Sequence, residues 1–416
     1  MTESKKTTYL AALVLPEFPG DAIVNGAVTV EGDTIAWVGK ASELPADSGE
    51  IVDLGDNTLM PGLIDTHVHL AFDAGDDPVT QMNEASYLER YTLMAKSARQ
   101  ALSGGLTTVR DLGAPDKLDR PLKKAIKEGM TRGPRIISVN APITVTGGHC
   151  YFMGGEAETP DGVRAKVREH RRDGAEHIKF MATGGNMTPG TLPEKAQFTQ
   201  EEMNAIVETA HHYGMKVAAH AHGTQGIERA ILAGVDSVEH FSFQGEAGAE
   251  YDAAVLKLAG ERRIFASKTI SAAGSWAAKM GRARVRQPNL TREAVDAGVR
   301  LVIGTDAGIN HCPVNEVVIA LEGLAVYGMT NEEALIAATS LAAESLGLEN
   351  VTGRLREGLA ADMIVVPGNP RENLSVIREL SLVIAQGEPY IPEYPSTRSW
   401  NDENADMQYD AAASAR

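Results

Sequence analysis

The 416-residue chain has little of several features that define common classes of protein. Its two cysteines, Cys150 and Cys312, are too few for a disulfide framework and form no CxxC metal motif. No apolar run approaches the roughly 18 residues of a membrane span, and the N-terminal segment lacks the long apolar stretch of a secretory signal. Acidic residues outnumber basic ones, giving a formal net charge of −17 that repels a nucleic-acid backbone. We therefore expect a cytoplasmic protein with reduced thiols and with neither a nucleic-acid nor a membrane partner.

The remaining composition is that of a globular protein, with 43% hydrophobic and 23% charged residues. The chain is longer than a typical single domain, but α/β barrels reach this length as one body with an appended domain. Residues 7–60 contain short stretches of alternating polarity separated by turns. This pattern predicts that the chain begins with β-strands only.

From residue 63 onward, strand-like apolar runs alternate with helical stretches. The helix before the fifth run has defined ends, because Thr199 and Glu202 match a capping box and Gly214 suits a left-handed C-cap. Eight strands alternating with helices predict an α/β fold, a (β/α)8 TIM barrel over residues 62–354, with the functional site at the C-terminal ends of its strands. The eight runs are LIDTHVHL, TTVRDLG, RIISVNAPI, HIKFMATGG, KVAAHAHG, SVEHFSF, RIFASKTI and LVIGTDAG.

Strand character returns after the barrel, in GRLREGLAADMIVVPG and ELSLVIAQGEPY. We predict that residues 1–61 and 355–397 pair into one small composite β-sandwich domain built from both ends of the chain. Residues 398–416 are polar and rich in alanine, which is typical of a disordered tail.

Two histidines, His67 and His69, lie one residue apart in the first apolar run. Residues i and i+2 of a β-strand point to the same face, so both imidazoles can reach one common metal ion. An isolated pair of this kind can also be two polar residues on the wet face of a sheet. The other predicted strand ends decide between these readings.

Further polar residues occur at the ends of four other predicted strands. Imidazole and carboxylate are the ligands that zinc and similar divalent ions prefer, so their convergence on one barrel mouth predicts a metal site. A lysine ammonium cannot bind a cation, so the lysine in this set is either a bystander or chemically altered. The residues are Lys179 on the fourth strand, His220 and His222 on the fifth, His240 on the sixth and Asp306 on the eighth.

This set of residues resembles that of the amidohydrolase superfamily, and the amino-acid sequence resembles that superfamily over residues 7 to about 395. The motifs that carry the resemblance are PGLIDTHVHL, GLTTVRDLG, GTDAG and GRLREGLAADMIVV. HIKFMATGGNMTPGT and VAAHAHGTQGIERAILAGVDSVEH are similar to the prolidase-like branch, which holds metal-dependent Xaa-Pro dipeptidases and xenobiotic amide and urea hydrolases. The chain departs from that branch at Phe241 and Ser242, where glycine is usual after the histidine, and in the strand-seven segment FASKTISAAGSW.

The resemblance implies a binuclear centre that holds two divalent ions, most simply zinc. By this resemblance His67, His69 and Asp306 bind one ion, His220 and His240 bind the second, and Lys179, carboxylated by CO2, bridges them. The resemblance also implies that a metal-bridging hydroxide attacks the substrate. Asp306 would then carry its proton to the leaving amine.

Other polar residues near the predicted strand ends have weaker assignments. For His222 we favour a role in supporting the metal ligands or in polarising the substrate over binding metal itself, so it is a catalytic and substrate-binding candidate. His149 is expected either to contact substrate or to make a local loop hydrogen bond, and Tyr151 is a weaker substrate-binding candidate. His170, His211 and His212 fall on predicted helices, where we expect them to be solvated.

The predicted reaction is hydrolysis of a C–N bond in a small molecule. The resemblance favours a dipeptide or an N-acyl amino acid as substrate. The alternative is an aryl urea or carbamate, because no arginine is evident as a carboxylate anchor and an apolar wall is available. A mononuclear deaminase or an imidazolone-type cyclic amide hydrolase is less favoured, since deaminase relatives generally lack the lysine. The apolar wall would comprise Phe241, Phe243, Met181, Met187 and Trp276.

We also expect the protein to form a homo-oligomer.

Overall fold

A computed structural model describes residues 6–246, 248–249, 251–270 and 290–399. The predictions made for Trp276, for the last part of FASKTISAAGSW and for the tail beyond residue 399 lie outside the described residues. The strands are β1 (Lys6–Val14), β2 (Ile23–Glu31), β3 (Thr34–Lys40), β4 (Glu50–Asp53), β5 (Asn57–Pro61), β6 (Leu63–Val68), β7 (Leu106–Asp111), β8 (Arg135–Ser138), β9 (His177–Met181), β10 (Lys216–Ala221), β11 (Ser237–His240), β12 (Gln244–Gly245), β13 (Gly248–Ala249), β14 (Phe265–Ser267), β15 (Arg300–Val302), β16 (Met363–Pro367), β17 (Leu382–Ala385) and β18 (Glu388–Tyr390).

Both ends of the chain contribute to one eight-stranded sheet. Its order is β18-β17-β16-β5-β1-β2-β3, with β4 alongside β1. The first half of β1 pairs in parallel with β4 and its second half with β5, while β16 joins β5 antiparallel. A separate hydrophobic core that includes Tyr9, Val28, Leu59 and Met363 packs within this sheet. The β-rich domain from both chain ends is therefore confirmed, whereas its boundaries at residues 61 and 355 stay predictions.

Eight parallel strands form the barrel, in two hydrogen-bonded sets that meet at two seams. One set is β6-β7-β8 and the other is β9-β10-β11-β14-β15. At the first seam the Ile143 amide donates to the Lys179 carbonyl at 2.8 Å. At the second seam the Thr66 amide donates to the Ile303 carbonyl at 3.0 Å and the Asp306 amide to the His67 carbonyl at 2.8 Å. These contacts close the barrel, and each of the eight predicted runs overlaps one of its strands.

The helices cover the outside of the barrel, and several begin with the predicted kind of cap. The Thr199 and Glu202 capping box is present, and Gly214 follows that helix with φ +70°. The described helices are α1 (Pro78–Glu84), α2 (Tyr87–Ser103), α3 (Asp119–Lys127), α4 (Pro160–Arg172), α5 (Gln200–His212), α6 (Thr224–Ala233), α7 (Ala253–Glu261), α8 (Thr291–Asp296), α9 (Val317–Val326), α10 (Asn331–Ala337) and α11 (Ser340–Leu346). None of them is both long enough and apolar enough to cross a membrane.

The prediction that His170 is solvated is wrong. Its side chain is buried, because it shares one face of α4 with Val163 and Val167, the face that packs onto the barrel. Burial lowers the pKa of His170 to about 4, so the ring is neutral near pH 7.

Candidate metal centre

The structure brings all six predicted ligand side chains to the C-terminal mouth of the barrel. Five of them are at most 6% exposed, and the Asp306 side chain is 15% exposed. They converge because parallel strands of a closed barrel end on the same face. His67 and Lys179 lie within β6 and β9, His69 follows β6, His220 and His240 lie at or near the ends of β10 and β11, and Asp306 follows β15.

One half of the mouth pairs two histidines with a carboxylate. The Nε2 atoms of His67 and His69 each lie 3.2 Å from Oδ1 of Asp306. Burial tends to raise the pKa of Asp306, but the neighbouring imidazoles lower it well below its usual range, so Asp306 is ionised. His67, His240 and Asp306 each place one possible ligand atom within 4.8 Å of the others, which is close enough to hold a metal ion.

The other half of the mouth contains three histidines whose partners are neutral. His220, His222 and His240 also offer ligand atoms within 4.8 Å of one another. Nε2 of His220 donates to the Gly184 carbonyl at 2.9 Å, which leaves Nδ1 with a lone pair. Nδ1 of His240 is 3.0 Å from the Thr269 hydroxyl. Burial lowers the pKa of all three rings, so they are neutral near pH 7, as metal ligands must be.

Lys179 is close to both halves, since its charge lowers the pKa values of His67 and His69 and also those of His220 and His240. Its side chain is 1% exposed, and within the described part of the chain its Nζ has no hydrogen-bond partner. Burial lowers its pKa to about 8, against the attraction of Glu239 and Asp306. An unpartnered buried ammonium is energetically costly, so the site favours a neutral or modified nitrogen.

Two of the site residues adopt backbone conformations that are rare outside glycine. His240 has φ +71° and Asp306 has φ +60°. Left-handed non-glycine residues cost of order 1–3 kcal/mol and cluster at functional sites. Because both residues carry possible ligand atoms, this strain coincides with the candidate centre.

The predicted substrate-binding residues His149 and Tyr151 differ in burial. His149 is buried with its ring centroid 4.6 Å from that of His220, and its Nδ1 is 3.1 Å from the Thr188 hydroxyl. A Cβ on Gly185 would lie 2.3 Å from Nε2 of His149, so this close approach requires glycine. Tyr151 is 45% exposed and packs edge-on against Phe152, and its contact with substrate stays a prediction.

His222 is the substrate-binding candidate at the centre of the cluster. Its ring stacks on that of His240, with centroids 4.3 Å apart. Its Nδ1 lies 2.9 Å from the Ser242 hydroxyl, so Ser242, one of the two departures from the related branch, contacts a predicted catalytic residue.

Three buried charged residues that hold these ligands, Glu239, Arg110 and Asp65, were not among the predicted site residues. Glu239 is fully buried, 3.1 Å from Nδ1 of His67 and 2.7 Å from a guanidinium nitrogen of Arg110. Burial tends to raise the pKa of Glu239, but Arg110 and His67 lower it to about 2. Asp65 accepts from the amides of His67 at 3.0 Å and Thr305 at 3.1 Å, which ties the first strand to the segment that carries Asp306.

A signal for Arg110 and Glu239 was present in the sequence, since each is a charged residue inside an apolar strand run. Their alternation with outward-facing neighbours places both inside the barrel. The ion pair between Arg110 on β7 and Glu239 on β11 is a tertiary contact that the sequence pattern does not reveal.

The chain belongs to the amidohydrolase family, whose family model matches residues 58–390. It is 32% identical to ochratoxinase of Aspergillus niger over 420 residues, an alignment that covers 91% of this chain and 84% of that protein. The crystal structure of a Xaa-Pro dipeptidase with bound methionine superposes with a TM-score of 0.83 at 30% identity, covering 93% of this chain and 100% of the other.

Phenylurea hydrolase B is also similar in structure, with a TM-score of 0.81, and the match covers 95% of this chain and 99% of that one. At 17% identity this similarity shows the fold alone. The family membership confirms the predicted resemblance, and the chain is therefore a hydrolase that acts on C–N bonds.

Proposed function

We propose that the chain is a binuclear metal-dependent hydrolase that cleaves the amide bond of a dipeptide or an N-acyl amino acid. The observation that supports this proposal most is the placement of Lys179, whose Nζ is buried, has no hydrogen-bond partner among the described residues and acts electrostatically on both groups of possible metal ligands. One tetrahedral ion cannot use six ligand side chains from five strands.

The residues of the mouth fit two ions. His67, His69 and Asp306 would hold the first, and His220 and His240 would hold the second. A pKa of about 8 leaves Lys179 partly neutral near pH 7, and the neutral amine can add CO2. The resulting carbamate is anionic and offers oxygen ligands, so Lys179 would bridge the two ions.

The residues of the chain would then bind the substrate and move its proton. Bound divalent ions would polarise the scissile carbonyl and make a water molecule acidic enough to attack near pH 7. Asp306 would accept the proton of the attacking water and pass it to the leaving amine nitrogen, so that water adds across the C–N bond. With the Ser242 hydroxyl donating to Nδ1 of His222, Nε2–H of that ring would donate to the substrate carbonyl.

The substrate class is supported by the relatives with the higher sequence identity. The Xaa-Pro dipeptidase and ochratoxinase are 30% and 32% identical to this chain. Phenylurea hydrolase B, at 17% identity, supports the fold and not the substrate. We therefore rank an amide of an amino acid ahead of an aryl urea.

A comparison of substrates by protein of measured metal content tests this ranking. The panel would contain a prolyl dipeptide, an N-acyl amino acid, ochratoxin and an aryl urea, with Asp306→Asn as the control of strongly reduced turnover. We expect at least one amino-acid amide to exceed the urea in kcat/KM by tenfold or more, about 1.4 kcal/mol of transition-state binding. A tenfold preference for the urea would overturn the ranking, and no C–N hydrolysis by metal-loaded protein would overturn the reaction.

A further inference from the structure

A chain of buried polar contacts crosses the barrel interior next to the candidate metal centre. Arg110 on β7 donates from Nη2 to Oε1 of Glu239 on β11 at 2.7 Å. The Ser237 hydroxyl donates to the same oxygen at 2.7 Å, and His67 on β6 lies 3.1 Å from the other oxygen, Oε2. Each of these four side chains is at most 1% exposed.

Arg110 also fixes the backbone beside His67. Its Nε donates to the carbonyl of Thr66 at 2.7 Å. One guanidinium therefore holds both the carboxylate that contacts the His67 ring and the peptide that precedes it. Buried ion pairs seldom stabilise a fold more than apolar packing would, so a pair in this position calls for another role.

The contact with Glu239 determines which nitrogen of His67 is free. A carboxylate can only accept hydrogen bonds, so Nδ1 of His67 carries the hydrogen. In the neutral ring the lone pair is then on Nε2, which lies 3.2 Å from Oδ1 of Asp306. A cation held between Nε2 and Oδ1 would satisfy both atoms.

We propose that Glu239, held by Arg110, is a positioning residue that sets the tautomer and orientation of His67 for metal binding. This inference rests on the proposed metal centre, because His67 is one of its ligands. Carboxylates that orient metal-binding histidines are a general device, and removing one typically weakens metal affinity about 10- to 100-fold. Glu239 itself would touch neither the ions nor the substrate.

The sharpest test is Glu239→Gln, which keeps the shape and removes the charge. Arg110 and Ser237 both donate to one oxygen of Glu239, so the amide oxygen of Glu239→Gln would face them and its NH2 would face His67. The hydrogen of His67 would then move to Nε2 and block the ligand atom. We expect the zinc dissociation constant, measured by competition with a chromophoric chelator, to rise about 10- to 100-fold.

A matched control is available in a second buried ion pair. Asp362 is 1% exposed and accepts from Arg135 at 3.0 Å, outside the barrel mouth. Asp362→Asn also removes a buried, arginine-paired carboxylate, so it reports the loss of stability alone. We expect its zinc affinity to stay within about threefold of the parent, even where its melting temperature falls as far as that of Glu239→Gln.

A second variant covers the case in which Glu239→Gln does not fold. Glu239→Asp retains the charge but is one methylene shorter, so it cannot reach Arg110 and His67 together. We expect weaker zinc binding there too, and any fall in its melting temperature is again compared with that of Asp362→Asn. Parent-like zinc affinity in the folded Glu239 variants, or an equal loss in Asp362→Asn, would overturn the inference. A parent protein that binds no zinc would instead overturn the proposed metal centre.

Discussion

The two halves of the barrel mouth hold their histidines in different ways. His67 and His69 face the Asp306 carboxylate, whereas His220, His222 and His240 are hydrogen-bonded to a carbonyl and two hydroxyls. The first half therefore attracts a cation by charge, and the second half offers neutral lone pairs. Lys179 acts electrostatically on both halves, so under the proposed function a carboxylated Lys179 would supply the anion that the second half lacks.

Removing the proposed bridging residue, Lys179, should have the largest effect on metal content and turnover. Lys179→Ala leaves the two halves without a shared ligand, so we expect metal content to fall below one ion per chain. Turnover should fall by more than about 10⁴-fold, beyond the range of one acid/base group. Metal analysis and steady-state kinetics measure both, and a small added carboxylate should partly restore them. A variant that keeps two ions and full turnover would show that Lys179 is a bystander.

Neutralising the carboxylate tests the first half alone. Asp306→Asn removes the charge that faces His67 and His69, and we expect turnover to fall by roughly 10² to 10⁴. The second half is unchanged, so one ion should remain bound. Turnover equal to that of the parent would remove Asp306 from the mechanism.

The second half contains one histidine more than its proposed ion needs, and His222 is the one we assign to substrate. We expect His222→Gln to retain two ions while kcat falls by about 10²-fold, the usual loss for one transition-state donor. Loss of an ion from this variant would instead make His222 a ligand. His170→Gln, a buried histidine away from the mouth, is the control for stability.

The smallest expected effect is that of acid, which should displace metal from the two halves at different pH values. Burial and Lys179 lower the pKa of His67, but Asp306 and Glu239 raise it above its usual value in the metal-free protein. The pKa values of His220 and His240 are instead well below the usual value for histidine. His67 therefore takes up a proton, in competition with metal, at a higher pH than the histidines of the second half do.

We accordingly expect acid titration to release the ion beside Asp306 first. Zinc-edge anomalous maps from crystals held near pH 7.5 and near pH 5.5 would identify which ion leaves. Earlier loss of the ion beside His220 would reverse the comparison.

The same pKa directions predict how the metal-free protein responds to pH. A histidine whose pKa is lowered by folding stabilises the fold above its unfolded value of about 6.5. That contribution is lost as the pH falls toward the folded value, by up to about 1.4 kcal/mol per pH unit and per group. The raised pKa of His67 acts in the opposite direction to the lowered pKa values of the three second-half histidines.

Much of the site could be predicted from the sequence because barrel topology is periodic. Alternation along a strand places His67 and His69 on one face, and parallel strands end together, so residues far apart in the chain had to meet. The left-handed backbone of His240 and Asp306 carries no comparable signal, since it depends on loops that follow the strands.

The errors have equally local causes. His170 continues the i, i+4, i+7 stripe begun by Val163 and Val167, so its burial was readable from helical spacing but was hidden by the charged residues around it. The pairing of Arg110 with Glu239 joins strands that are not adjacent in the barrel. Such contacts follow from the closed geometry and not from any single segment.

In the proposed centre, the two halves hold two ions bridged by Lys179. Zinc-edge anomalous diffraction from crystals of active, unchelated protein would locate those ions. We predict two peaks about 3.5–4 Å apart in the barrel mouth, with continuous density for a carboxyl group on Nζ of Lys179. A single peak beside an unmodified Lys179, in protein with full activity, would contradict the account.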